Sequence, residues 1–283
     1  MDGRDTLNDT TATTMGKKAP ASLTPPLSDD LKMKIAFIIE YIDPVSPHHS
    51  NPSMPKAAEE AAAAIADYAG GCSNNRDDLA KAGAIEPLVQ LCQGTLHAGP
   101  REQSTRALRF LSFNNPFCYQ SGKAYQPQFQ SFDNVTAIVN ANGIPPLVAA
   151  VKSGSPVQRE NAATALSQLG NIRPHRTAIA AAGALPALIQ LVSEGSSSTD
   201  EGLAMAARQA AVALGSLSFH HGENVTVIKT LGGEKLLQSL VNNTSTPRAM
   251  KSVCEYTLAN INADPELLKP PPPPEDKPKK KKK

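Results

Sequence analysis

Tryptophan is absent from the 283 residues, cysteine occurs four times, and no apolar run approaches the roughly 18 residues that a membrane-spanning helix needs. Cys72, Cys92, Cys118 and Cys254 lie far apart without a CxxC pair, which argues against a disulfide scaffold, a zinc site of the usual spacing or a thioredoxin-like motif. They read as reduced, mostly packed thiols. The opening stretch MDGRDTLNDTTATT has neither the charged nor the apolar part of a secretory signal. The expectation is a soluble protein of the cytoplasm and/or nucleus with no transmembrane segment. In that setting the glycosylation-type matches at Asn134 and Asn224 carry no weight.

The motifs of common chemistries are missing as well. Neither GxGxxG nor GxxxxGK[ST] occurs, so nothing cradles a nucleotide phosphate, and GxSxG and HExxH are absent. The pairs His48-His49 and His220-His221 do not make a metal site, because adjacent residues of a helix point about 100° apart and neither pair has a second cluster at ligand spacing. Asp29-Asp30 and Glu59-Glu60 sit near helix starts, where the positive end of the helix dipole favours carboxylates. The sequence therefore predicts no catalytic residue, metal, cofactor or small-molecule substrate.

Charge is unevenly placed. Residues 269–283 hold seven Lys against Glu275 and Asp276, a net of +5, so the remainder of a chain whose total is +2 carries −3. A slightly acidic body with a basic tail is not the footprint of a nucleic-acid-binding domain, whose positive charge lies on a folded face.

What the chain does contain is repetition. Residues 1–27, rich in Thr, Ser, Asp and Pro, read as a disordered leader. Ser28 then offers an N-cap, and Leu31, Ile35, Ile38, Ile39 and Ile42 fall at helical spacing. Further on, NRDDLAKAGA at 75–84, NVTAIVNANG at 134–143, HRTAIAAAGA at 175–184 and NVTVIKTLGG at 224–233 share a polar start, an apolar fifth residue and a small or Gly ending. Their starts are 59, 41 and 49 residues apart. Each is followed by an apolar segment, with Pro in its first turn in three of the four, and then by a longer segment carrying an apolar i, i+3 pair: Leu108 and Leu111, Leu166 and Leu169, Leu214 and Leu217, Leu258 and Ile261. No segment alternates as a strand would. A unit of three helices that buries one face only by stacking on its neighbours is the logic of a solenoid.

The pattern A-G-A-I-E-P-L-V at 82–89, its relatives at 141, 182 and 231, and A-L-S-Q at 165–168 resemble armadillo repeats. The resemblance covers residues 28–268 and implies an all-α, right-handed solenoid of about four three-helix repeats. A partial N-terminal repeat, Leu31–Ile42 and Lys56–Ala69, precedes them. It also implies a non-catalytic adaptor that binds an extended segment of another protein in a groove formed by the third helices. In the importin-alpha type a Trp and, four residues on, an Asn recur along that groove. Here the Asn position holds Asp67, Phe110, Gln168, Ser216 and Asn260, and the Trp position holds Arg106 and Tyr256 beside Ala63, Thr164 and Val212, so that type is not matched. Residues seven before the Asn position lie within about 40° of it on a helix. This adds Glu60, Gln103, Asn161 and Gln209 to the candidate groove, with a merely solvated helix face as the other reading.

Two loop insertions are expected, at about 114–132 and 195–202. The first is rich in aromatics, among them Phe117, Tyr119, Tyr125 and Phe129, which either cover neighbouring helices or make an aromatic contact surface. The tail, 269–283, runs from a five-proline rod to Lys277, Lys279, Lys280, Lys281, Lys282 and Lys283. It supplies the alternative function, weak contact with a polyanion such as nucleic acid or an anionic membrane.

Overall fold

The computed structural model describes residues 27–44, 46, 53–94, 97–113 and 131–263. Among them are fourteen α-helices and no strand. Two come first, α1 (Asp29–Ile42) and α2 (Met54–Gly71). The order short, intermediate, long then recurs: α3 (Ser73–Lys81), α4 (Ile85–Gln93), α5 (Ala98–Leu111); α6 (Ser131–Asn140), α7 (Ile144–Ser153), α8 (Pro156–Gly170); α9 (Arg173–Ala181), α10 (Ala184–Gly195), α11 (Glu201–Ser218); α12 (Gly222–Thr230), α13 (Gly233–Asn242), α14 (Arg248–Ile261). The long helices pack in series, α2 on α5, α5 on α8, α8 on α11 and α11 on α14, and each of α4, α7, α10 and α13 packs on the long helix that follows it. The result is an all-α solenoid with one continuous apolar core.

The apolar pairs predicted to face inward do so: Leu108, Leu111, Leu166, Leu169, Leu214, Leu217, Leu258 and Ile261 are all buried. Helix α1 starts where Ser28 predicts it, the Ser28 hydroxyl accepting from Leu31 N at 3.4 Å. Its buried face is Leu31, Ile35, Ile38 and Tyr41, and Ile39 is 50% exposed. Five apolar residues at mixed spacing cannot all lie on one stripe, and Ile39 is the one that turns outward.

Each decapeptide forms a short helix and its turn. The ninth position takes the left-handed conformation every time, at Gly83 (φ 78°), Asn142 (φ 61°), Gly183 (φ 80°) and Gly232 (φ 78°). Three of the four are the residue with no Cβ penalty, and the fourth is the side chain that tolerates this region best. The polar start of the decapeptide closes the end of the preceding long helix, whose last carbonyls have no intrahelical donor. Asn75 Nδ2 donates to Tyr68 O at 2.7 Å and Asn224 Nδ2 to Leu217 O at 2.9 Å, in both cases seven residues back. Arginine at the second position does the same: Arg76 Nη1 reaches Ala69 O at 3.2 Å, and buried Arg176 reaches Gly170 O, Asn171 O and Phe219 O.

Three expectations are corrected. Helix α6 begins at Ser131 and so takes in the last two residues of the first expected insertion, whose remainder, 114–130, lies outside the described residues. The second is confined to Ser196–Asp200: Gly195 is the last residue of α10 and is buried, and Asp200 caps α11 by accepting from Leu203 N at 3.1 Å. Glu59 and Glu60 are not in the first turn of their helix, since α2 begins at Met54. The Glu59 carboxylate instead lies over Gly99 at the start of α5, where a Cβ would collide with it. Glu102 repeats the device one level on, accepting from the Ser155 hydroxyl that caps α8. The dipole argument holds, but for the next long helix rather than the same one.

Of the three cysteines described, Cys92 and Cys254 are buried and Cys72 is exposed. Burial pushes both buried thiols up to about 11, so at neutral pH they are protonated and shielded. In a Cys118→Ser variant, Ellman's reagent should therefore titrate one thiol in the native protein and three after denaturation. Rapid native reaction of two or three thiols would contradict this packing.

Candidate functional site

The candidate groove residues all lie on the five long helices, which the packing sets side by side: Glu60 and Asp67 on α2, Gln103, Arg106 and Phe110 on α5, Asn161 and Gln168 on α8, Gln209 and Ser216 on α11, Tyr256 and Asn260 on α14. Their environments divide this face into two parts.

Across α2, α5 and the first half of α8 the candidate side chains are occupied with one another, apart from Glu60, which is exposed. Arg106 Nη2 pairs with Asp67 at 2.5 Å, and its Nη1 donates to Gln103 Oε1 at 3.3 Å. The two opposite charges read from the sequence as separate features are thus one ion pair. The Phe110 ring packs on Gly70, where a Cβ would stand 3.4 Å from ring atom Cζ. Two guanidiniums lie over that ring, Arg106 at 5.7 Å and Arg109 at 5.3 Å, and Arg109 also lies 5.7 Å from the Phe113 ring. Arg109 Nη1 donates to Asn161 Oδ1 at 2.9 Å. Asn161 is buried, 2% exposed, so it belongs to the helix-to-helix joint and not to an outward row of amides. Arg109 and Gly70 were missed in the sequence. The only signal was the arginine between Leu108 and Phe110, which breaks an otherwise apolar run.

Across α8, α11 and α14 the face is open and uncharged at the predicted positions. Gln168, Gln209, Ser216 and Asn260 are partly exposed. Gln168 Oε1 accepts from Asn171 at 3.3 Å, and the Ser216 hydroxyl pairs with that of Ser167 at 2.9 Å. Asn260 Nδ2 donates to Gly215 O at 3.3 Å, which fixes its amide and leaves Oδ1 as an acceptor. Tyr256 is 55% exposed and lies across Gly215, where a Cβ would be 3.2 Å from ring atom Cε1. Gly215 is therefore a positioning residue for Tyr256, since any side chain there would lift the ring.

At the far ends of the long helices, His221 Nδ1 accepts from Asn224 N at 3.3 Å to cap α12, and its Nε2 lies 3.1 Å from the Thr177 hydroxyl. Burial, ahead of nearby Arg176 and Arg173, pulls its pKa down, although Glu223 opposes them, and the neutral ring suits a capping acceptor. Among the described residues no three His, Cys, Asp or Glu side chains gather to hold a metal ion, and no single helix is long and apolar enough to cross a membrane. Phe117, Tyr119, Tyr125 and Phe129, Lys277 and Lys279 to Lys283, and the pair His48-His49 lie outside the described residues.

Residues 131–170, which are α6 to α8, match the family model for the armadillo/beta-catenin-like repeat. No curated protein matches the chain. Among solved structures it is similar to an engineered protein (TM-score 0.63, 23% identity), covering 82% of this chain and 47% of that one, so it spans about half of that protein's length. It is similar to a designed armadillo repeat protein with TM-score 0.65 and 17% identity over 84% of each chain. A second designed armadillo repeat protein, solved in complex with the peptide (KR)4, is similar with TM-score 0.60 and 19% identity over 80% of each chain. At these identities the likeness is one of fold.

Proposed function

We propose that this armadillo-type repeat protein is a non-catalytic scaffold that binds an extended segment of a partner protein along the long helices α8, α11 and α14. The observation that carries the reading is the uncharged row of Gln168, Gln209, Ser216 and Asn260, which ends at the exposed Tyr256 ring. An extended peptide presents alternating carbonyls and amides, and amide side chains meet both without selecting a charge. An aromatic ring held over a glycine adds a flat apolar contact that loses little entropy on binding. The designed relative holding (KR)4 supports peptide binding as a use of this fold. The neutral row here favours a partner segment that is less basic than (KR)4. Asp67 is already paired with Arg106, which leaves less acidic surface for a run of cations.

The competing reading assigns function to the Lys-rich tail. Binding of a peptide selected from a random display library against the full chain separates the two. The groove reading expects affinity within about twofold for a chain ending at Leu268 and a shallow salt dependence. Loss of binding with the tail, or a steep fall of log K with log salt, would transfer function to the lysines.

A further inference from the structure

Arg101 and Arg159 are each the fourth residue of a long helix, α5 and α8. Arg159 is engaged at two nitrogens: Nε donates to Val151 O at 2.9 Å, and Nη2 pairs at 2.5 Å with Glu194, which reaches across from α10 in the next layer. Gln190 donates to the other carboxylate oxygen at 2.7 Å. These hydrogen bonds, Arg159 first, hold the Glu194 carboxyl below the usual carboxylate range.

At Arg101 the same arrangement lacks its acid. When Ile144 of α7 is aligned with Leu185 of α10, the place of Glu194 falls to Ser153 and that of Gln190 to Ala149. Ser153 turns its hydroxyl back to Ala149 O at 3.2 Å. Beside these two shorter side chains lies a cleft of about 400 Å³ lined by Arg101, Gln93, Pro146, Ala149, Ser153 and Gln158 among others, with no carboxylate in its wall among the described residues. A second acid-free cleft of about 380 Å³, between α1, α4 and α5, reaches the same arginine from the other side. Arg101 Nε is buried with no hydrogen-bond partner among the described residues, a state that Arg109 Nε shares; but Arg109 also donates through Nη1 to Asn161, whereas no side-chain nitrogen of Arg101 donates to a described residue.

We propose that this cleft is a second binding site, remote from the α8–α11–α14 row, that receives an Asp or Glu side chain from a partner protein segment in the position Glu194 occupies one layer on. The guanidinium offers two parallel donors to a carboxylate, and Pro146 and Ala149 give the stem of such a side chain apolar surface to lie against. The missing side chains are those of one glutamate and one glutamine, so the space suits a carboxylate on a short stem inserted from a neighbouring backbone.

The test reads the Arg101 Nε–H resonance in the full chain by NMR, using the capped tripeptides Ala-Glu-Ala and Ala-Gln-Ala as probes. The glutamate peptide should shift it saturably, with the millimolar affinity of a single contact, and the glutamine peptide should leave it in place. In Ser153→Glu the acid is supplied internally. The resonance should already be displaced without peptide, and the response to the glutamate peptide should weaken at least tenfold. Equal responses to the two peptides, a stronger response to inorganic phosphate than to glutamate, or an unmoved resonance in Ser153→Glu would overturn the assignment. Because Ser153 is exposed, that variant retains the fold whichever result is found.

Discussion

Replacing Arg176 with methionine should lower the thermal unfolding midpoint by roughly 10 °C, far more than replacing any other arginine described here. Arg176 is only 5% exposed, and its guanidinium donates to three main-chain carbonyls: Gly170 and Asn171 at the end of α8, and Phe219 at the end of α11. Methionine keeps much of the apolar stem and removes every donor, leaving buried carbonyls without partners at about 1–3 kcal/mol for the first and less for those that reach water. A total of about 3 kcal/mol, at 2–4 °C per kcal/mol for a domain of this size, gives the stated shift. Arg76→Met is the control, because Arg76 makes one such bond, to Ala69 O, and is only half-buried. It should lose about 2 °C. Equal losses for the two variants, read by circular dichroism, would mean that the arginine does not join the ends of α8 and α11.

Tyr256→Ala combined with Gln168→Ala should weaken a library-selected peptide about 100-fold while leaving helicity and melting unchanged. The ring is the most exposed aromatic of the long helices, and truncating an aromatic anchor at an interface is worth about 2 kcal/mol, a factor of roughly 30. One lost amide hydrogen bond adds about 1 kcal/mol. Asn161→Ala should behave in the opposite way. Asn161 is buried and accepts from Arg109 at 2.9 Å, so its loss strands a guanidinium and reduces stability by about 2 kcal/mol without touching the peptide directly. Fluorescence anisotropy with the same peptide, alongside thermal melts, separates the two effects. Peptide affinity unchanged in the Tyr256 and Gln168 double variant would remove α14 and α8 from the site.

The contrast between Asn161 and Asn260 shows where sequence reading stops. Asn260 was placed on the groove by the repeat resemblance and Asn161 by its helical angle to that register, and neither register nor angle says which neighbouring helix covers a position. Asn161 is covered because Arg109, 52 residues earlier, reaches across from α5. Asn260 stays partly open because its neighbour across the layer is Gly215. The helices themselves were legible, since burial of a stripe demands i, i+3 spacing whatever the stripe packs against, and the ninth place of each decapeptide follows from the left-handed turn. The ion pair of Asp67 with Arg106, the seating of Glu59 over Gly99 and the vacancy opposite Arg101 all join residues of different layers. Such pairs follow from superposing one repeat on the next in space. Ser153 becomes informative only once Glu194 is seen to hold Arg159.

The central claim, that a partner segment lies along α8, α11 and α14, is tested most directly by a hydrogen-exchange footprint of the full chain with and without a saturating library-selected peptide. Protection concentrated in the second halves of those three long helices, around Gln168, Ser216 and Asn260, is the predicted result. Protection confined to the Lys-rich tail, or to α3, α6, α9 and α12, would contradict it.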